Sequence, residues 1–363
     1  MKISNKISAL LIFAFILVFL IFSIINLKKS GDENTVSFPE ITWESLLNGD
    51  FGHKLKSFSA DRFAMREDWV SASARIKSGM CDSIVNDVYI ADSRLIATDI
   101  SSRESTEKSA EAVNKFVQNY NGAVYFVAVP TSSGVYGDIL PSYLLQSTEK
   151  QQIDDFYDRL DKNIRKIDAY SILKMLSDNY IYYRSDTKWT SYGAFCVYRT
   201  VIQKLGFMPA SYDKYTIEHV TDSYRGNLYS RTQYMEAKPD LLDIYEYTGG
   251  AEITECKGYD NNGMVYHKNL YDREAVQSDD MYRLYLGERL PLVRVHTDIN
   301  NNKKILVVGD DYASCFVPFL TQHYSEIAFV SPECMEKDLR KFLNPDDYEQ
   351  LLFLFGIDTL MIE

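Results

Sequence analysis

KKILVVGDDYAS, residues 303–314, decides the fold. Ile305 to Val308 form an unbroken apolar run, the mark of a strand buried on both faces of a parallel sheet. Gly309 and Asp310 break that run sharply, and helical spacing resumes behind them. AVYFVAVP at 123–130 reads as a second buried strand, stopped by Pro130. EIAFVS at 326–331 and IDTLMIE at 357–363 read as two more. Between them, EKQQIDDFYDRLDKNI at 149–164 repeats apolar positions at helical intervals. SYGAFCVYRTVIQKLG at 191–206 is a helix with Thr190 as N-cap and Gly206 beyond its end. KIDAY (166–170) and NYIYYRSD (179–186) suit short strands or strand edges. This alternation predicts an α/β fold, a parallel sheet with helices on its faces. Residues 210–300, rich in Tyr, Thr and short alternating runs, read as a β-rich insertion.

The remaining signals bound the protein's place and partners. Of 363 residues, 46% are hydrophobic and 25% charged, ample for a core. The net charge of −12 and the lack of a Lys/Arg cluster argue against nucleic acid. Ile7 to Leu27 carry no charge and reach about 30 Å as a helix, the thickness of a bilayer core. Ile24, Ile25, Asn26 and Leu27 stand where a cleavage site needs small residues. Residues 1–29 are therefore expected to be an uncleaved single-pass anchor, 30–44 a linker, and 45–363 an extracytoplasmic domain, beginning with helix over 51–79. The five cysteines include no Cys-x-x-Cys pair and are expected to be mostly free and buried.

Ligands of such a sheet sit beyond the carboxyl ends of its strands. Two stretches should meet there: the turn bearing Asp310 and Asp311, and YYRSDTKWTSYGAF at 182–195. Many hydrolases place a nucleophile at such a turn, and Asp311 occupies that position here. Plainer readings stand beside this one. Asp310 and Asp311 suit a helix N-terminus, Trp189 and the 27 tyrosines suit packing, and Asp186 with the two turn aspartates suits Ca²⁺ or Mg²⁺.

YYRSDTKWTSYGAF resembles the Asp-His-His-Trp signature of the DHHW-motif proteins. ILVVGDDYASCFVPFLTQHYSEIAFVSPE at 305–333 is similar to their second signature, a strand followed by Asp-Ser-Tyr-Ala. AVPTSSGVYGDILP (128–141), YRLYLGERLPLVRVHT (282–297) and DRFAMRE (61–67) extend the likeness. The resemblance implies an SGNH-hydrolase-like three-layer fold, related to alginate O-acetyltransferase-like proteins. It also implies a polysaccharide partner, extracellular or in the cell wall, an associated membrane-bound O-acyltransferase, and no cofactor. In that site an Asp orients a His, which takes a proton from a Ser that attacks an acyl group. The orienting Asp matches Asp186, the His matches Lys188 and the Ser matches Asp311, with Trp189 retained. A Gly-Gly-Asn pattern matches Gly287-Glu288-Arg289, and an Asp-x-Arg stretch matches Ser331-Pro332-Glu333. Trp189, Tyr312 and Arg289 are the expected substrate-binding residues.

These replacements point to an impaired catalyst assisting polysaccharide O-acylation. An active O-acetyltransferase or esterase with altered residues, and a purely structural surface protein, are the alternatives. His–Ser is expected to have become a Lys188–Asp311 ion pair with Asp186 beside the ammonium. Of the five histidines, His53, His219, His267, His296 and His323, none stands in a recognisable pairing with serine, and Ser314 lacks a base.

Overall fold

Strands come from the apolar runs, but not all where the sequence placed them. The computed structural model describes residues 83–361, apart from 93, 99–102, 142–143 and 145–148. The expected anchor, linker, 51–79 helix, DRFAMRE segment, His53 and Cys81 lie outside the described residues. Among the described residues no helix is long and apolar enough to cross a membrane. In chain order the strands are β1 (Ile84–Val85), β2 (Val88–Ile90), β3 (Leu95–Ala97), β4 (Ala123–Val129), β5 (Ile164–Ile167), β6 (Tyr215–Tyr224), β7 (Asp240–Tyr247), β8 (Ile253–Tyr259), β9 (Val265–His267), β10 (Leu292–Thr297), β11 (Lys304–Gly309), β12 (Glu326–Val330) and β13 (Gln350–Gly356). The helices are α1 (Arg103–Val117), α2 (Ser132–Tyr136), α3 (Glu149–Arg159), α4 (Ala169–Met175), α5 (Ser191–Lys204), α6 (Asn227–Thr232) and α7 (Asp311–Phe316).

Eight strands form the central sheet in the order β5-β4-β13-β11-β12-β10-β8-β9. The first five are parallel and the last three antiparallel, so the sheet is mixed rather than wholly parallel. Alternate side chains of each strand feed two separate cores. Tyr125, Val127, Val307 and Leu352 pack with α5 and α7 on one face, and Phe126, Leu306 and Phe353 pack with α1 and α3 on the other. Sheet faces covered on both sides explain why these strands read as continuous apolar runs.

The differences from expectation have local causes. The last strand is QLLFLFG, not IDTLMIE, because the former pairs in register with both β4 and β11. Thr359–Met361 form a 3₁₀ turn behind it. KIDAY divides at Asp168, which ends β5 and caps α4 by accepting from Ser171 N at 2.9 Å. NYIYYRSD makes one bridge, Tyr182 to Trp189, instead of a strand. Thr190 caps α5 as expected, accepting from Gly193 N at 3.2 Å, and Gly206 takes φ +94° past its end. The β-rich region divides in two: β6 and β7 form a separate hairpin, while β8, β9 and β10 extend the central sheet. The four described cysteines are free, with Cys256 and Cys315 buried and Cys196 and Cys334 partly so.

The β7 end fixes the turn that leads into Asp186. Asp240, fully buried, accepts from Arg184 N (2.9 Å), Ser185 N (2.9 Å), Ser185 Oγ (2.6 Å) and the Tyr180 hydroxyl (2.6 Å). Asp240→Ala would strand two backbone donors, costing about 3 kcal/mol. Urea unfolding should show a lower midpoint with an unchanged slope.

Candidate active site

The chain leaving β4 turns toward β5, and the chain leaving β11 turns to the opposite neighbour, β12, with β13 between them. This is a topological switch point, where α/β sheets hold their ligands. Asp310 and Asp311 stand at the end of β11. Thr131 and Ser132 follow β4, and Asp358 follows β13. The 186–189 segment lies against the same point. Thr187 O accepts from Ser132 N (3.3 Å) and from the Tyr312 hydroxyl (2.9 Å). Trp189 Nε1 returns a bond to Tyr312 O at 3.2 Å. The two signature segments are therefore clasped to each other.

Asp186 is 1% exposed and rigidly held. Its Oδ1 accepts from Lys188 N (3.1 Å) and Thr187 Oγ1 (3.4 Å). Its Oδ2 accepts from the Tyr224 hydroxyl and from Asn227 N (3.1 Å), at the start of α6. A Cβ on Gly226 would lie 2.2 Å from that oxygen, so only glycine lets this backbone approach.

Lys188, Asp186 and Asp311 converge as the sequence suggested, though with different partners in the lead. The Lys188 ammonium lies 3.5 Å from Asp186 Oδ1, 3.7 Å from Asp311 Oδ2 and 5.0 Å from the centre of the Tyr282 ring. Asp311 is held mainly by Arg289, whose Nε and Nη2 reach its two oxygens at 2.7 and 2.6 Å. The Nη1 of Arg289 takes Asp280 Oδ2 at 2.7 Å. The expected pair is thus a network in which a planar guanidinium fork outcompetes a flexible ammonium for the same carboxylate.

Protonation follows from these contacts. Burial alone would push the Lys188 ammonium down, but Asp186, Asp311 and Asp358 together hold it above its ordinary value. Burial would push Asp311 up, but Arg289 and Lys188 overturn this and hold it below the usual carboxylate range. Behind them, burial pushes Asp310 and Glu149 up to about 7 and Asp358 up to about 6.

The other expected site residues divide. Trp189 is fully buried, packed across Tyr312 and Phe316, and Tyr312 is 2% exposed. Neither ring offers a face to a glycan; both serve packing and the clasp. Arg289 reaches the surface with its hydrogen bonds committed to two aspartates. It borders a small cleft of about 20 Å³ lined by Tyr282, Leu286, Leu290, Ser314 and Phe329 among others. Ser314 donates to Asp311 O at 2.8 Å. Among the described residues no histidine bonds to Ser314 or Asp311. His219 meets Asp243 at 2.6 Å on the hairpin, and His323 meets Tyr198 at 2.6 Å, with burial pushing its imidazole down to about 4. Glu333 is exposed. Among the described residues no group of three or more His, Cys, Asp or Glu side chains is arranged to hold a metal ion.

Asp280, Asp358, Glu149 and Tyr224 were missed in the sequence. Asp358 was within reach: with the last strand placed at 350–356, it stands just beyond a strand's carboxyl end, as Asp310 does.

A mixed α/β sheet with polar side chains gathered at the ends of its parallel strands defines the class. The DHHW protein family profile matches residues 72–330, and the chain belongs to that family. Its fold is similar to that of a DHHW family protein from Eubacterium siraeum (19% identity, 77% of this chain and 94% of that one, TM-score 0.64). It is equally similar to Bacillus cereus PatB1, in a structure with a sulfonyl adduct (19%, 76% and 96%, 0.64) and in another (20%, 76% and 97%, 0.63). No curated protein matches the chain in sequence.

Double-mutant cycles separate the two partners of Asp311. The Arg289–Asp311 coupling should be about 1–2 kcal/mol, moderated because Arg289 is 37% exposed, and should exceed the Lys188–Asp311 coupling. The Asp311 contribution is full above the ordinary carboxyl range near 4 and is lost as pH falls through its lower folded value. Arg289→Ala should therefore lower stability more at pH 7 than at pH 3, measured by thermal unfolding.

Proposed function

We propose that the chain is a membrane-anchored, extracytoplasmic DHHW protein with an SGNH-type three-layer arrangement and impaired acyl chemistry. It binds an extracellular or cell-wall polysaccharide, or assists its O-acetylation beside a membrane-bound O-acyltransferase. The observation that carries this reading is the network of Lys188, Asp186, Asp311 and Arg289. It fills the positions that the family resemblance assigns to base and nucleophile. A lysine held charged by surrounding carboxylates cannot accept a proton. A carboxylate forked by Arg289 and approached by Lys188 is a weak nucleophile, because its charge is already neutralised. The resemblance of the two signatures to the DHHW-motif proteins, themselves related to alginate O-acetyltransferase-like proteins, supports the polysaccharide. The uncharged run Ile7–Leu27 supports the anchor.

A second reading is an altered but active O-acetyltransferase or esterase. It is favoured by the Ser314 hydroxyl, which lines the cleft beside Arg289.

Sulfonyl fluoride separates the two readings, since PatB1 has been seen with a sulfonyl adduct. The intact mass of this protein should be unchanged by phenylmethylsulfonyl fluoride, and p-nitrophenyl acetate should be hydrolysed at the background rate. An adduct on Ser314 would establish the second reading instead. Combining Lys188→His, Asp311→Ser and Arg289→Asn should raise hydrolysis by roughly 10–100-fold through a restored base and nucleophile.

The anchor has its own test. The full-length protein should remain in the membrane pellet after carbonate extraction. A mature N-terminus near residue 30 would count against it.

A further inference from the structure

Three connections meet where β4, β11 and β13 end, and each delivers a carboxyl group. Thr131, after β4, gives its N–H (2.8 Å) and its hydroxyl to Glu149, the first residue of α3. Asp310, after β11, accepts from Tyr312 N (2.9 Å), Gly356 N (2.8 Å) and Thr359 Oγ1 (2.7 Å). Asp358, after β13, folds back over Gly356, where an added Cβ would meet its Oδ1 at 2.3 Å. That oxygen is shielded from solvent and has no hydrogen-bond partner. Asp310 and Asp358 thus flank one glycine.

Few cations face this point. Lys188 is flanked by Asp186 and Asp311, and Arg289 beyond it is taken by Asp311 and Asp280. Tyr182 and Tyr312 supply phenols that burial keeps neutral, and Thr131 and Thr359 supply neutral hydroxyls. Asp310 is buried and Glu149 and Asp358 are partly so, and carboxyl groups set beside so little positive charge favour keeping a proton.

We propose that Asp310, Asp358 and Glu149 form one coupled proton-binding device at the strand ends, tightening the fold there when protonated and loosening it when charged. Asp358 raises the proton affinity of both Glu149 and Asp310, and Lys188 moderates that of Asp358, so the titration steps belong to the set. Each folded value lies above the ordinary carboxyl value near 4. The folded chain therefore keeps protons that the unfolded chain has released. The contribution is full below about pH 4, declines as pH rises, and is gone above about pH 7. Its direction is opposite to that of Asp311, so the two partly cancel in strong acid and separate near neutrality.

The test uses the full-length protein titrated from pH 8 to 5, with the infrared carbonyl stretch of protonated carboxyl groups and the Tm recorded at each step. The expected result is a protonated-carboxyl band already present at pH 6.5 and a Tm about 2–5 °C higher at pH 5.5 than at pH 8. Asp358→Asn and Glu149→Gln should each weaken that band and flatten the Tm profile, chiefly by raising Tm at pH 8. Absence of the band above pH 6 in the parent would overturn the proposal. So would Tm profiles parallel to the parent in both variants. If one variant fails to fold, the parent's band and the other variant decide.

Discussion

One ammonium group among carboxylates is the constraint that orders this end of the molecule. Asp186 is fixed by backbone and phenol donors, and Asp311 by the Arg289 fork. Neither can retreat from Lys188, and Lys188 cannot lose its proton while both remain. Such an ion network need not stabilise the fold relative to apolar side chains, because each charge loses its hydration on burial. Its geometric effect is to tie the end of β11, the 186–189 turn and the Asp280–Arg289 segment to one another.

The scaffold was more legible in the sequence than the site. Ile305–Val308 and Ala123–Val129 could be read because strands buried on both faces leave an unbroken apolar signature. The α5 boundaries could be read because Thr190 and Gly206 mark opposite ends chemically. The final strand was misplaced because QLLFLFG and IDTLMIE are both apolar, and only pairing with β4 and β11 distinguishes them. The antiparallel extension β10-β8-β9 was not visible either, since alternation looks alike in a hairpin and at a sheet edge.

In the site, spacing and resemblance brought Asp186, Lys188 and Asp311 together but gave no ranking of partners. That Arg289 rather than Lys188 leads at Asp311 depends on reach and planarity, which appear only in three dimensions. Trp189 and Tyr312 show the converse: aromatic rings in a signature suggested ligand stacking, and burial assigns them to the interior. Asp240 carried no motif at all, yet it holds the turn on which Asp186 is mounted.

The clasp between the two signature segments has an evolutionary consequence. It is made by Tyr312 reaching Thr187 O and by Trp189 reaching Tyr312 O, and neither bond uses the side chain at 188 or 311. Those two positions resemble interchangeable fittings in a socket whose walls are fastened elsewhere. A lineage can exchange the chemistry mounted there while the walls stay put, provided the new pair balances its own charge. Change at the mounted pair and persistence of the fold are then separable events, and selection can act on either without dragging the other along.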